Sequence, residues 1–180
     1  LTTPTGGRIV IAVTLAREEN VVLIGMPGVG KSTAGVLLAK ALSREFVDTD
    51  VTLQARLGRR LADIIAEQGM DAFCRQEEAA ILALDVRPAV IATGGSAVYS
   101  PAAMAHLRQG GRIVHLDLPL EVLRRRLGDL GERGVVIRPG QTLEALFAER
   151  QPLYRRYADL AIACLGLSHD EVVARIVDAL

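Results

Sequence analysis

The sequence predicts an α/β domain, a parallel sheet with helices on both faces. Two observations carry this. Short apolar runs alternate with stretches of helical periodicity, the pattern of strand–helix–strand units whose crossovers make neighbouring strands parallel. The glycine-rich and acidic punctuation falls just after the apolar runs, where ligands bind in such folds, at the carboxyl ends of the strands. A chain of 180 residues has room for one domain and is long enough to bury a substantial core.

Residues 1–18 are expected to be an N-terminal extension, a poorly ordered tail or an added edge strand. Residues 19–180 form a single domain. Within the extension, 9–16 is apolar like a signal-peptide core but lacks a convincing cleavage site. Val21–Ile24 is a continuous apolar run that stops at Gly25, as a buried strand does. Lys31–Leu42 has helical spacing. Phe46 and Val47 make a short strand ending in Asp-Thr-Asp. Leu61, Ile64 and Ile65 mark one helical stripe and Ala72–Leu84 another, followed by Pro88. Val90–Ala92 is a strand running into Thr-Gly-Gly-Ser, and Ala102–Leu107 a helix with Pro101 at its start. Ile113–Leu116 is a strand, and Leu120–Leu127 a helix opened by Pro119. Residues 128–141 hold four glycines and read as a mobile lid, with Gly131 and Gly134 as its flexible points. Leu143–Tyr157 is helical, interrupted at Pro152. Leu160–Cys164 is the last strand and Ser168–Leu180 the last helix, with Ser168 as N-cap.

Composition narrows the function. Half the residues are hydrophobic and 23% are charged, which excludes disorder. Twenty-one basic residues balance 21 acidic ones, which argues against a general nucleic-acid binder. Of the basic residues only Lys31 and Lys40 are lysines; the rest are arginines, which clamp carboxylate and phosphate in two-pronged fashion. No apolar run reaches the roughly 18 residues of a membrane span. Cys74 and Cys164 have no metal or disulfide pattern, so reduced thiols in a cytoplasmic protein are expected. His106, His115 and His169 have no metal-ligand spacing. Arg124, Arg125 and Arg126 cover most of one helix, so at most two can face one site.

Residues 25–33 read Gly-Met-Pro-Gly-Val-Gly-Lys-Ser-Thr. This is the phosphate-binding pattern G-x-x-x-x-G-K-[ST], here between a strand and a helix. Gly25, Gly28, Val29 and Gly30 turn backbone N–H groups toward phosphate oxygens, and the helix beginning at Lys31 adds its positive end. Lys31 reaches the β- and γ-phosphates, Ser32 offers a hydroxyl to Mg²⁺, and Thr33 completes the motif. The guanine-reading N-K-x-D is absent, because the single Asn is Asn20. Helicase and transporter ATPases are larger. A small kinase remains.

Asp48 and Asp50 flank Thr49 after the second strand. A period of two would send both carboxylates from one face. One would hold Mg²⁺, and the other would accept a hydrogen bond from an acceptor hydroxyl and take its proton. Asp117, at the end of another apolar run, is a rival for the Mg²⁺-linked acid.

Taken in order, 25–33, Phe-Val-Asp-Thr-Asp at 46–50, Ile-Ala-Thr-Gly-Gly at 91–95, Arg-Pro at 138–139 and Glu-Arg-Gln-Pro-Leu-Tyr at 149–154 resemble shikimate kinase across residues 20–180. The resemblance implies a P-loop kinase with a five-stranded parallel sheet flanked by helices and a closing lid, using ATP and Mg²⁺. A monomer is expected. It implies that Lys31 and Ser32 serve ATP and Mg²⁺, Asp48 supports the metal, and Asp50 holds the acceptor hydroxyl as base. Gly94 and Gly95 approach the substrate, Arg138 neutralises the transferring phosphate, and Arg150 binds the substrate carboxylate. An Arg near the end of 120–127 lines the adenine, Arg125 or Arg126.

Three departures fall on the acceptor side. Cys74 follows Phe73 where the family has an Arg that shares the substrate carboxylate. Ser96 replaces the third glycine of Gly-Gly-Gly. The lid is longer and richer in glycine. The expected reaction is phosphorylation of shikimate. The alternatives are another small hydroxyl compound, notably homoserine, whose ammonium would suit a pocket one cation poorer and to which Ser96 would add a hydrogen bond, or a non-catalytic ATP-binding module.

Overall fold

The computed structural model describes residues 18–127 and 140–180. Five strands form one sheet: β1 (Asn20–Ile24), β2 (Glu45–Asp48), β3 (Ala89–Ala92), β4 (Gly111–Asp117) and β5 (Leu160–Ala163). Their order is β2-β3-β1-β4-β5, and every neighbouring pair is parallel. The sheet is accompanied by α1 (Lys31–Leu42), α2 (Thr49–Leu57), α3 (Leu61–Gln68), α4 (Met70–Leu82), α5 (Pro101–Gly110), α6 (Leu120–Leu127), α7 (Leu143–Tyr157) and α8 (His169–Ala179).

All five residues of β1 are buried. A central strand covered on both faces has no polar side, which is why it reads as an unbroken apolar run. Its Val21, Val22, Leu23 and Ile24 share one core with Leu38 of α1 and Ile176 of α8. A second, smaller core joins Leu53 of α2, Leu61 and Ile64 of α3 and Phe73 of α4. The three helices between β2 and β3 therefore carry packing of their own.

Two expectations differ from the structure. Asp-Thr-Asp does not continue the strand. Thr49 begins α2, and Asp48 is its N-cap, its Oδ1 accepting from the Asp50 N–H at 3.0 Å and the Val51 N–H at 3.2 Å. Helix α2, absent from the sequence reading, starts there because Asp48 satisfies its first free amides. Helix α7 runs unbroken through Pro152. Proline in a helix interior costs about 3 kcal/mol, but Leu146, Arg150, Gln151 and Tyr154 are buried along α7, and that packing outweighs the lost N–H. Ser168 caps α8 as expected, in a reciprocal capping box with Glu171.

Asn20 is the polar exception in β1. It is buried, its Nδ2 donates to the Val86 carbonyl at 2.8 Å, and its Oδ1 accepts from the Ala89 N–H at 2.8 Å. One side chain thus ties the start of β1 to the entry of β3. Asn20→Ala leaves a buried donor and acceptor unpaired and is expected to cost about 1–3 kcal/mol. A lower midpoint of urea unfolding at unchanged slope would show it.

Candidate active site

The P-loop follows β1 directly. Gly25 has φ +144°, and a Cβ there would lie 2.6 Å from the Leu116 carbonyl oxygen of β4. Gly28 and Gly30 also have positive φ, +77° and +105°, so the loop adopts a path that L side chains resist. Gly30 caps α1 without a side-chain hydrogen bond, which leaves the first amides of the helix to an anion. The buried Lys31 folds back over the loop, its Nζ donating to the carbonyls of Gly25 at 2.7 Å and Met26 at 3.0 Å. Burial lowers the Lys31 pKa to about 8, against the opposing pull of Asp50. Val29 is buried, while Ser32 and Thr33 are exposed on the first turn of α1.

Ser32 Oγ donates to Asp48 Oδ2 at 2.6 Å. The hydroxyl and the carboxylate expected at Mg²⁺ are therefore in contact, and both are the hard oxygen donors that this ion takes. Asp50 joins them from the first turn of α2 rather than by strand alternation. Burial raises its pKa, with Lys31 opposing. Asp117 instead accepts a hydrogen bond from Gln151 Nε2 at 2.8 Å, which ties β4 to α7.

The acceptor side is built on bare backbone. A Cβ on Gly94 would lie 2.2 Å from Glu77 Oε1 and 2.6 Å from Asp50 Oδ1. A Cβ on Gly95 would lie 2.9 Å from Arg150 Nη1 and 3.1 Å from Pro27 of the P-loop. Arg150 is fully buried, donates from Nε to the Tyr99 hydroxyl at 3.0 Å and stacks 5.0 Å above the Tyr99 ring. Half-buried Cys74 shares a recess of about 140 Å³ with Glu77, Ser96 and Tyr99.

Ser96 is buried, and its hydroxyl donates to Glu77 Oε2 at 2.6 Å. Glu77 was missed. It is 3% exposed, and its Oε1 has no hydrogen-bond partner. Burial raises its pKa to about 7, the Ser96 hydrogen bond opposing. The available signal was an acid one turn after Phe73, inside the buried stripe Phe73, Glu77, Ala80 and Ile81 of α4.

The two arginines left open by the sequence separate. Arg126 Nη1 donates to the Val29 carbonyl at 3.2 Å, whereas Arg125 is exposed and its Nε turns back to the Glu121 carbonyl of its own helix. Arg126 is the one of the two that touches the P-loop. Arg138 and the flexible points Gly131 and Gly134 lie outside the described residues. Among the described residues no helix is long and apolar enough to cross a membrane.

The model of the shikimate kinase family matches residues 27–180. The chain belongs to the shikimate kinase family. Shikimate kinase of Mycobacterium tuberculosis is 40% identical over 162 residues, 88% of this chain and 92% of that protein. Shikimate kinase of Pseudomonas entomophila is 40% identical over 147 residues, 80% of this chain and 86% of that protein. Among solved structures, the shikimate kinase of Acinetobacter baumannii in complex with shikimate superposes with a TM-score of 0.81 at 31% identity, over 89% of this chain and 91% of that one. As a member of this family, the protein is a phosphotransferase acting on a hydroxyl group.

Glu77 also gives a pH prediction. Its folded pKa near 7 lies above the value of about 4.3 for a solvated Glu. The folded state therefore binds more protons than the unfolded one between these values, and stability falls as pH rises through that window. Glu77→Gln removes this contribution. Thermal midpoints from pH 4.5 to 8 should fall less steeply in the variant than in the wild type, by an amount on the order of a few kcal/mol in stability.

Proposed function

We propose that this kinase transfers the γ-phosphate of ATP to a hydroxyl of shikimate. The observation that carries the reading is the junction at Gly94 and Gly95. There the two carboxylates, Asp50 and Glu77, meet one side of a bare backbone segment, while Arg150 and the P-loop residue Pro27 meet the next residue. An acceptor carrying both a hydroxyl and a carboxylate matches the pairing of Asp50 with Arg150.

The residues divide the work. The P-loop amides and Lys31 hold the phosphates. Ser32 and Asp48 would hold Mg²⁺, which supplies charge neutralisation on the phosphates when bound. Asp50 accepts the acceptor hydroxyl's hydrogen bond and takes its proton as the new oxygen–phosphorus bond forms and the bond to ADP breaks. Its burial-raised pKa makes it a stronger base than a solvated Asp. Arg150 pairs with the acceptor carboxylate, and its buried stem and Tyr99 contact hold the guanidinium in one place. The assignment of Arg138 to the transferring phosphate rests on the family resemblance. Homoserine is less well supported, since the Ser96 hydroxyl that would have served it is bonded to Glu77.

ADP release is expected with ATP, Mg²⁺ and shikimate together, and neither with homoserine nor without an acceptor. Turnover on homoserine alone would overturn the substrate assignment. Asp50→Asn should lower kcat by about 10²–10⁴-fold while ATP binding, followed by calorimetry, is retained. Turnover surviving this change would overturn the choice of base.

A further inference from the structure

The three residues Gly94, Gly95 and Ser96 make no regular ladder, yet each is held by a side chain from a different helix. The Gly94 N–H donates to Thr49 Oγ1 of α2 at 3.0 Å. The Gly95 carbonyl accepts from the Tyr154 hydroxyl of α7 at 2.7 Å. Ser96 Oγ donates to Glu77 Oε2 of α4 at 2.6 Å. All of these polar groups are buried or nearly so, Tyr154 being fully buried and stacked on His115 with ring centroids 5.2 Å apart. Their bonds are thus shielded from competition with water.

We propose that these contacts form a three-point clamp that sets acceptor affinity, with Thr49, Tyr154 and the Glu77–Ser96 pair as positioning residues that act through the backbone of 94–96. The inference rests on the acceptor site assigned above. Its physical basis is the tightness of the wall. Gly94 lies against Asp50, and Gly95 lies against Arg150, so a small shift of this backbone displaces both groups that meet the acceptor. Misplacement of about 1 Å in such a site can cost about a hundredfold in rate or binding. Tyr154 sits one turn after Arg150 on α7, so one rigid helix both presents the guanidinium and pins the wall beside it. The clamp also gives the Gly-to-Ser departure at position 96 a purpose. A glycine there would leave Glu77 without its hydroxyl partner and the wall without its third anchor.

The test uses Thr49→Val, Ser96→Ala and the double variant, each removing a hydroxyl that anchors 94–96; Tyr154 is left in place because its hydroxyl also hydrogen-bonds Arg150. Each single change should raise the acceptor KM about three- to tenfold, with the ATP KM unchanged. The double variant should raise it by less than the product of the two, because both act on one segment. Hydrogen exchange provides a readout independent of the acceptor: amides of 94–96 should exchange faster in the variants, with those of 21–33 unaffected. A merely structural role would lower the thermal midpoint without separating the two KM values. Unchanged acceptor KM in folded variants, equal rises for acceptor and ATP, or unchanged exchange at 94–96 would each overturn the clamp. Failure of the wild type to phosphorylate shikimate would instead overturn the substrate assignment, and the exchange measurement would still decide the clamp.

Discussion

Strand β1 pairs in parallel register with β3 from Val21–Val90 to Leu23–Ala92, and with β4 from Asn20–Gly111 to Ile24–His115. All three chains therefore leave the sheet at one edge. The loop after β1 becomes the phosphate cradle, the loop after β3 becomes the acceptor wall, and β4 limits the space at Gly25 through the Leu116 carbonyl. β2, added outside β3, brings Asp48 and Asp50 to the same edge. Parallel pairing supplies the convergence, and glycine makes it close enough. A Cβ at Gly94 or Gly95 would collide with the side chains that do the chemistry.

This closeness has an electrostatic consequence. Lys31, Asp50, Glu77 and Arg150 occupy one buried region and feel one another's charges. For Lys31, Asp50 and Glu77, desolvation is the largest cause of the displaced pKa, ahead of attraction between opposite charges. Burial weakens the charged form of Lys31 and of both acids, and Glu77 near neutrality carries only part of its charge. Lys31 and Arg150 face the two anions the proposed reaction brings together, a triphosphate and a carboxylate, with Cys74 standing in place of an arginine.

Helix α7 shows how packing overrules local preference. Pro152 is a helix breaker by its chemistry, yet α7 continues past it because Arg150, Gln151 and Tyr154 are each anchored at the site or at β4. Each makes a hydrogen bond that a broken helix would lose. The proline is tolerated, and the spacing of four residues between Arg150 and Tyr154 is preserved.

Much of this was legible in the chain itself. The alternation of apolar runs and helical stripes determined the α/β class, since it depends only on period and burial. The P-loop and the Asp-Thr-Asp segment were legible as motifs because they are written in contiguous residues. The sequence could not decide what hydrogen-bond partners separated residues would find. Asp48 as a helix cap, Arg126 rather than Arg125 on the P-loop, and Ser96 turned inward to Glu77 all depend on which elements lie side by side. Glu77 lies in a visible apolar stripe of α4, but its partners did not show in the sequence for the same reason. An acid on a helix becomes a buried, high-pKa group only when the neighbouring strand loop closes over it, and that closure is a property of the tertiary structure.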